Sequence, residues 1–549
     1  MKRTGRSLRR TAFATVTALA LVVAACGGSD DGDAAPAPAP APAPAPSPDE
    51  PVSGGTLVVD SRFGHNSPDP HRDGTAESRK LYLLAYDTLT TFTSPDVSVP
   101  QPGIATSWVA NDDATSWTFT LRDNAVFEDG SPVTPDDVVF SLRRVQGLKG
   151  PFSYLLNGVT IEEGSGNTVV LSTEATNVAL PFLVSYPNMG IVNATAVRAA
   201  GGSDAENADE VDEAESLFET RSLGTGPYII ERFSLTGQVE LVRNDSYWGT
   251  PAPFDRIVMV ESDSQTQLLN VQSGRTDIAL DLSADQIGSL DPSGLQVLTD
   301  IGPIVWYMFL NLDPAASNAT ANADFREAVR YALDYDALGE LFGEGAIRAC
   351  GMVPSMVLGA LPQSDCVDQD LDRARAALAR SGIANPSVRL EYIADFGTDG
   401  IQHGTVSERV QRQLGAVGIT VELNSSPLAT QLDRYRSAEM PAHMFTISMR
   451  HPDVSSYVVA LSDGGGNARP AGLNRAALPE AQDLVDQILT ATTDAQREPL
   501  VQEWQRVLNE QGPFVPMFQS TRTLVAADDL SGVESHPLYV VDLRNVNRG

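Results

Sequence analysis

Between Ala35 and Pro46, alanine and proline alternate without interruption. Proline fixes φ and has no amide to donate, and alanine has little apolar surface to bury. Such a tract cannot enter a packed core and is expected as an extended polyproline II spacer. It divides the chain into a short N-terminal segment and a long body that begins near residue 54.

The N-terminal segment has the order of a secretory signal. Lys2, Arg3, Arg6, Arg9 and Arg10 precede an apolar run from Thr11 to Ala25, shorter than the ~20 residues a spanning helix needs. The run ends Val23-Ala24-Ala25-Cys26, which resembles a bacterial lipobox, with a diacylglycerol on the Cys26 thiol. Residues 1–25 are therefore expected as a signal peptide, and residues 26–53 as a lipid-anchored linker rich in proline and alanine. This places the body outside the cell, tethered to the outer face of the membrane. The alternative is an uncleaved anchor. No later apolar run reaches spanning length.

At 549 residues the chain is too long for one ordinary core, so two or more lobes are expected. The net charge is −33, and the only lysines are Lys2, Lys80 and Lys149. A surface this acidic repels phosphate backbones and argues against nucleic acid as a partner. Besides Cys26 the cysteines are Cys350 and Cys366. In an exported protein an even remainder suggests a disulfide, the alternative being two free thiols.

The six histidines (His65, His71, His403, His443, His451 and His536) show no His-Glu-x-x-His or other close metal-ligand spacing. There is no Gly-x-Ser-x-Gly elbow and no Gly-x-x-x-x-Gly-Lys phosphate loop. Gly464-Gly465-Gly466 lacks the context of a nucleotide fingerprint. The expectation is a monomeric non-enzyme with neither metal nor cofactor.

Periodicity in the body mixes strands and helices. Strands are predicted at Thr56–Val59, Ser116–Leu121, Ile257–Val260 and Trp306–Leu310. Thr134-Pro135-Asp136-Asp137 opens a helix with Val138, Val139, Leu142 and Val145 on one face. Amphipathic helices are predicted over Phe325–Leu341, Leu371–Leu378 and Leu484–Leu508, the last broken at Pro499. Ser203–Glu219 reads as an exposed helix or loop.

Several segments, in order over nearly the whole body, resemble the extracellular solute-binding proteins of family 5, which serve peptide and nickel ABC importers. They are Pro68-Asp69-Pro70, Ile104-Ala105-Thr106-Ser107-Trp108, Trp117-Thr118-Phe119-Thr120-Leu121-Arg122, Val126-Phe127-Glu128-Asp129-Gly130 and Asp136-Asp137-Val138-Val139-Phe140. Gly224-Thr225-Gly226-Pro227-Tyr228, Arg243-Asn244-Asp245-Ser246-Tyr247-Trp248, the run Arg326 to Asp334 and the run Gln413 to Ile419 follow. Physically, Gly224 and Gly226 are expected to take backbone angles closed to other residues, and Trp108, Trp117, Phe119, Tyr247 and Trp248 to fill cores.

The resemblance implies an α/β, two-lobed periplasmic-binding-protein-like fold of type II, in the large class with an extra inserted domain. Residues 54–76, 220–308 and 514–549 are expected to form the first lobe, 77–219 the inserted domain and 309–513 the second lobe. The implied function is capture of a solute, a peptide above all, between the lobes for delivery to an ABC permease and ATPase. Alternatives are a sensor or assembly role in the same fold, or an anionic, sugar-like or metal-chelate solute.

In peptide-binding members an Asp-Tyr-x-x-Pro stretch of the second lobe pairs its Asp with the peptide ammonium. The counterpart here runs Ser448 to Tyr457 and places Arg450 where that Asp stands, with His451 and Asp453 as neighbouring candidates. A cation there attracts a carboxylate or phosphate and repels ammonium. Further candidate contacts are Phe63 and His65 after the first strand, Tyr154 in the inserted domain, Trp306 and Tyr307 at the crossing between lobes, and Asn467.

Overall fold

The structure, a computed structural model, describes residues 54–549 except 66, 74, 76, 77, 94 and 396. The expected signal peptide, Cys26 and the Ala-Pro tract lie outside the described residues. The strands that organise the body are β1 (Thr56–Ser61), β2 (Ala105–Ala110), β3 (Ser116–Leu121), β4 (Thr160–Glu163), β5 (Thr168–Ser172), β6 (Tyr228–Arg232) and β7 (Gln238–Arg243). They continue with β8 (Arg256–Glu261), β9 (Ile278–Ala279), β10 (Leu295–Leu310), β11 (Ser387–Ile393), β12 (Thr420–Ser426), β13 (Ala442–Ile447) and β14 (Phe514–Ala527).

One mixed sheet of eleven strands runs β12-β11-β13-β10-β14-β9-β1-β8-β7-β6, with Ile347–Arg348 beside β14. The long antiparallel strands β10 and β14 belong to both halves. Leu295–Ile301 pairs with Thr521–Ala527 on the side of β9 and β1, whereas Val305–Leu310 also pairs with β13. Between these stretches the register breaks, so that 302–304 face only Ser520. Pro303 has no amide for a ladder, which suits it to a bulge. Gln519 spans the break, its Nε2 donating to the Gly302 carbonyl at 2.7 Å and its Oε1 accepting from the Ser355 amide at 3.0 Å.

A separate antiparallel sheet, β2-β3-β5-β4, lies between β1 and β6 in sequence. β3 shows the alternation read from its sequence, with Phe119 and Leu121 inward and Thr118 and Thr120 outward. The helix Pro135–Gly147 packs on this sheet through Val138, Val139, Leu142 and Val145. Its start is a capping box: Thr134 Oγ1 accepts from the Asp137 amide, and Asp137 Oδ2 accepts from the Thr134 amide at 2.9 Å.

Several expectations need correction. Gly224 and Gly226 do not take positive φ. A Cβ on Gly224 would stand 2.1 Å from the Ala85 carbonyl oxygen, and one on Gly226 2.4 Å from that of Leu84, so close backbone approach selects glycine. Phe325–Leu341 is two helices, Ala323–Ala332 and Tyr335–Gly339. Asp334 ends the first by capping the second, and its amide and carbonyl are held by the Gln413 side chain at 3.1 and 3.0 Å.

Leu484–Leu508 is also two helices, Pro479–Thr490 and Asp494–Gln511. The break falls at 491–493, not at Pro499, which lies inside the second helix near its start. Ser203–Glu219 is not simply exposed: Phe218 and the Asp212 side chain are fully buried. Of the aromatic residues expected in cores, Phe119 is fully buried, while Trp108, Trp117, Tyr247 and Trp248 are half-buried.

Two motifs act through buried arginines. Arg326 donates to the Gln511 carbonyl at 3.0 Å, and Arg330 to the carbonyls of Glu510 and Gly512. Together they satisfy the end of Asp494–Gln511, where a helix leaves carbonyls unpaired and its dipole is negative. Arg144, with no exposed side chain, joins Asp69 of the Pro68-Asp69-Pro70 motif (2.6 Å) to Asp212 (2.7 Å). Removing one partner from a buried ionic group leaves charge without compensation, at about 3–5 kcal/mol. Arg144→Met is accordingly expected to lower unfolding free energy by about that amount in urea titrations; a loss under about 1 kcal/mol would contradict this role.

Candidate functional site

The loop between β13 and the helix Ser455–Ala460 carries Arg450, His451 and Asp453. Asp453 is its anchor. The carboxylate is buried and receives both terminal nitrogens of Arg497, each at 2.7 Å, and the Ser455 amide at 2.8 Å. Burial alone would raise its pKa, but the Arg497 bonds and charge outweigh this and hold it below the usual range. His451 is buried beside it, with Nε2 3.1 Å from Ser455 Oγ and, among the described residues, no partner for Nδ1.

Arg450 is exposed. Its amide donates to Ser456 Oγ at 3.3 Å, which fixes the backbone but leaves the side chain free. Among the described residues no carboxylate lies within ion-pair distance of the guanidinium. Its Cζ stands 5.9 Å from the ring centroid of Tyr154, which is 40% exposed on the turn Ser153–Leu156.

Behind Arg450 the second lobe is polar but closed. Asn467 Nδ2 donates to the hydroxyls of Tyr307 and Tyr435 at 3.0 and 3.1 Å. Tyr307 is fully buried, and burial pushes its hydroxyl up to about 12, against the hydrogen bonds of Tyr435 and Asn467 and the charge of Arg450. Tyr307 and Asn467 therefore form the wall behind the loop. Trp306 points to the other face of β10, as alternation along a strand requires, and packs against Phe342 and His403 with centroids 5.5 and 4.5 Å away. The two neighbours cannot line one cleft together.

Phe63 and His65 stand apart from this group. Their rings lie 4.3 Å apart, and His65 meets the Phe233 ring at 4.8 Å and the Ser234 carbonyl at 3.0 Å. Burial lowers the His65 pKa. The sequence reading missed Arg79, Phe152, Tyr186 and Tyr435. The Arg79 Cζ lies 4.9 Å from the Tyr186 centroid and 6.0 Å from that of Phe152, and the two rings lie 4.7 Å apart. No local pattern marks these residues, because the chain brings them together from distant turns.

Among the described residues no group of three or more His, Cys, Asp or Glu side chains could hold a metal ion, and no helix is long and apolar enough to cross a membrane. The sulfurs of Cys350 and Cys366 lie at bonding distance, with Cα atoms 4.3 Å apart.

This two-lobed arrangement built on a mixed sheet is the periplasmic-binding-protein fold. The structure of HbpA2 from Haemophilus parasuis superposes with a TM-score of 0.78 at 20% identity, over 90% of this chain and all of that one. The family description "bacterial extracellular solute-binding proteins, family 5, middle" matches residues 99–469. The chain belongs to that family, whose members are binding proteins that work with ABC permeases outside the cytoplasm.

Among curated relatives, the probable D,D-dipeptide-binding periplasmic protein DdpA of Escherichia coli is 25% identical over 79% of this chain and 82% of its own length. The heme-binding protein A of Haemophilus influenzae is 24% identical over 79% and 81%.

Burial lowers the pKa of His71, His403 and His451 to about 4 and of His443, both of whose ring nitrogens lack partners among the described residues, to about 3. A folded pKa below the unfolded value of ~6.5 means the unfolded chain binds more protons below that pH. Their stabilising contribution is complete above pH ~6.5 and is lost as pH falls toward 4, on the order of 3 kcal/mol per histidine. Urea midpoints measured from pH 7 to pH 4 should fall steadily, and less steeply for His443→Phe. Equal slopes would show that His443 is already protonated or solvated in the fold.

Proposed function

We propose that the protein captures a short peptide or peptide-like solute between its lobes and delivers it to an ABC permease and ATPase. Family membership supports the solute-binding role, and a dipeptide-binding relative supports the solute class. The observation that carries the reading is the family match over residues 99–469; the loop at Arg450 bears on which part of the solute is met. The loop's carboxylate is paired with Arg497, while its one free charged head is directed at Tyr154 of the inserted domain. A solute entering there meets a cation and aromatic rings, where peptide-binding members present an acid.

We take residues 54–76, 220–308 and 514–549 as the first lobe, 77–219 as the inserted domain and 309–513 as the second lobe. The break in β10 and β14 is the natural hinge, since a few residues outside the ladder absorb rotation there. Residues 1–25 are the signal peptide, Cys26 carries the lipid, and the Cys350–Cys366 disulfide forms after export. The cationic loop also favours a second reading, a non-peptide anionic solute.

The full chain, extracted in mild detergent and examined by native mass spectrometry, should carry a captured mass that is lost on unfolding and whose fragments name the solute. Arg450→Ala should keep its melting temperature and bind that solute about tenfold or more weakly, as expected for a lost charge-assisted hydrogen bond. Unchanged affinity would remove Arg450 from the site.

A further inference from the structure

Most exposed arginines of this acidic chain sit against carboxylates: Arg198 on Asp136, Arg373 on Glu327, Arg475 on Asp483 and Asp486. With 71 acids for 38 basic residues, such pairing is easily met. Arg79 and Arg450 depart from it. Arg62, Arg143, Arg275, Arg412 and Arg469 also have no carboxylate within ion-pair distance among the described residues; Arg79 and Arg450 differ from these in lying over the rings of Phe152, Tyr154 and Tyr186. Arg79 is half-buried at the start of the helix Arg79–Ala85; among the described residues it donates a long hydrogen bond, 3.4 Å, to the Leu538 carbonyl, and its Nε is buried without a partner. Among the described residues neither guanidinium has a carboxylate within ion-pair distance.

Both serve one aromatic face. Arg79 lies over Tyr186 and Phe152, and Arg450 over Tyr154. The Tyr186 hydroxyl is buried, and among the described residues no group meets it at full hydrogen-bond geometry. Burial raises it to about 12, while the charges of Arg79 and Arg450 both act to lower it, so the two cations bear on the same group. Two like charges held near one desolvated surface repel, and this cost is relieved when an anion lies between them. The guanidinium fork, with parallel N–H donors, matches the oxygens of a carboxylate or phosphate.

We propose that Arg79 and Arg450 form a two-arginine subsite, floored by Phe152, Tyr154 and Tyr186, that binds an oxyanion group of the solute. This rests on the reading that the solute is held beside the Arg450 loop, and it adds what the site selects: a carboxylate or phosphate, with a planar or aromatic portion favoured over the rings. Arg79 precedes the inserted sheet and Arg450 lies on a second-lobe loop, so one anion engages both sides and favours the closed arrangement that a permease distinguishes from the open one.

The test uses the full chain in detergent, freed of captured solute by dialysis, and calorimetry with four probes: trialanine, trialanine amide, succinate and inorganic phosphate. Trialanine should bind at least about tenfold more tightly than its amide. Arg79→Gln should abolish that preference, the acid falling to about the affinity of the amide, and Arg79→Lys should restore part of it. A merely structural Arg79 would not move the acid-to-amide ratio.

Equal binding of acid and amide, insensitive to Arg79, overturns the subsite and leaves peptide capture standing. Binding of succinate or phosphate alone, sensitive to Arg79, supports the subsite, overturns peptide capture and tells carboxylate from phosphate. Binding of none of the four overturns both.

Discussion

Two antiparallel strands, β10 and β14, hold the body together, and the rest of the structure is ordered around them. Their outer stretches complete the sheet of β9, β1, β8, β7 and β6, and their inner stretches complete that of β13, β11 and β12. Each lobe therefore borrows strands from the same pair, and the lobes cannot separate without breaking a shared ladder. What remains free is rotation where the ladder is broken, between Trp306 and Tyr307 and, more widely, around Gly302, Pro303 and Ser520. Gln519 ties that place to Gly302 and to Ser355, which restricts movement to a few residues.

From this frame a chain of buried contacts leads to the site. Arg326 and Arg330 satisfy the end of the helix Asp494–Gln511. Near the start of that helix Arg497 holds Asp453, and Asp453 in turn fixes the loop with the Ser455 amide. Arg450, three residues before this anchor, is thus presented from a rigid base with its own charge uncommitted. A loop anchored in this way has no backbone left to order on binding, which lowers the cost of recognition through the charge it carries. The motif residues described above, Arg326, Arg330 and Asp69 among them, are engaged in contacts that hold the fold.

Much of this was legible in the sequence, for physical reasons that can be named. Strand alternation at Ser116–Leu121, the capping residues before Val138 and the order of motifs each depend on near neighbours, which a linear reading sees. The two-lobed fold followed from the resemblance. The failures were of long-range origin. That Asp453 is occupied depends on Arg497, forty-four residues away. That Trp306 and Tyr307 serve different cores depends on which face of β10 looks toward the loop. Gly224 and Gly226 were chosen by the approach of Leu84 and Ala85, not by their own φ. Arg79 carries no local signal; only the packing of Phe152 against Tyr186 reveals what it faces.

The central claim is that solute recognition is organised around the uncommitted charge of Arg450, opposite the inserted domain. A crystal structure of the protein purified with its captured solute tests this most directly. The account predicts solute density between the loop and Tyr154, with an acceptor oxygen of the solute within hydrogen-bond distance of the Arg450 guanidinium, and Asp453 still paired with Arg497. Density elsewhere in the cleft, with Arg450 pointing to solvent or with Asp453 released to bind an ammonium group, would contradict it.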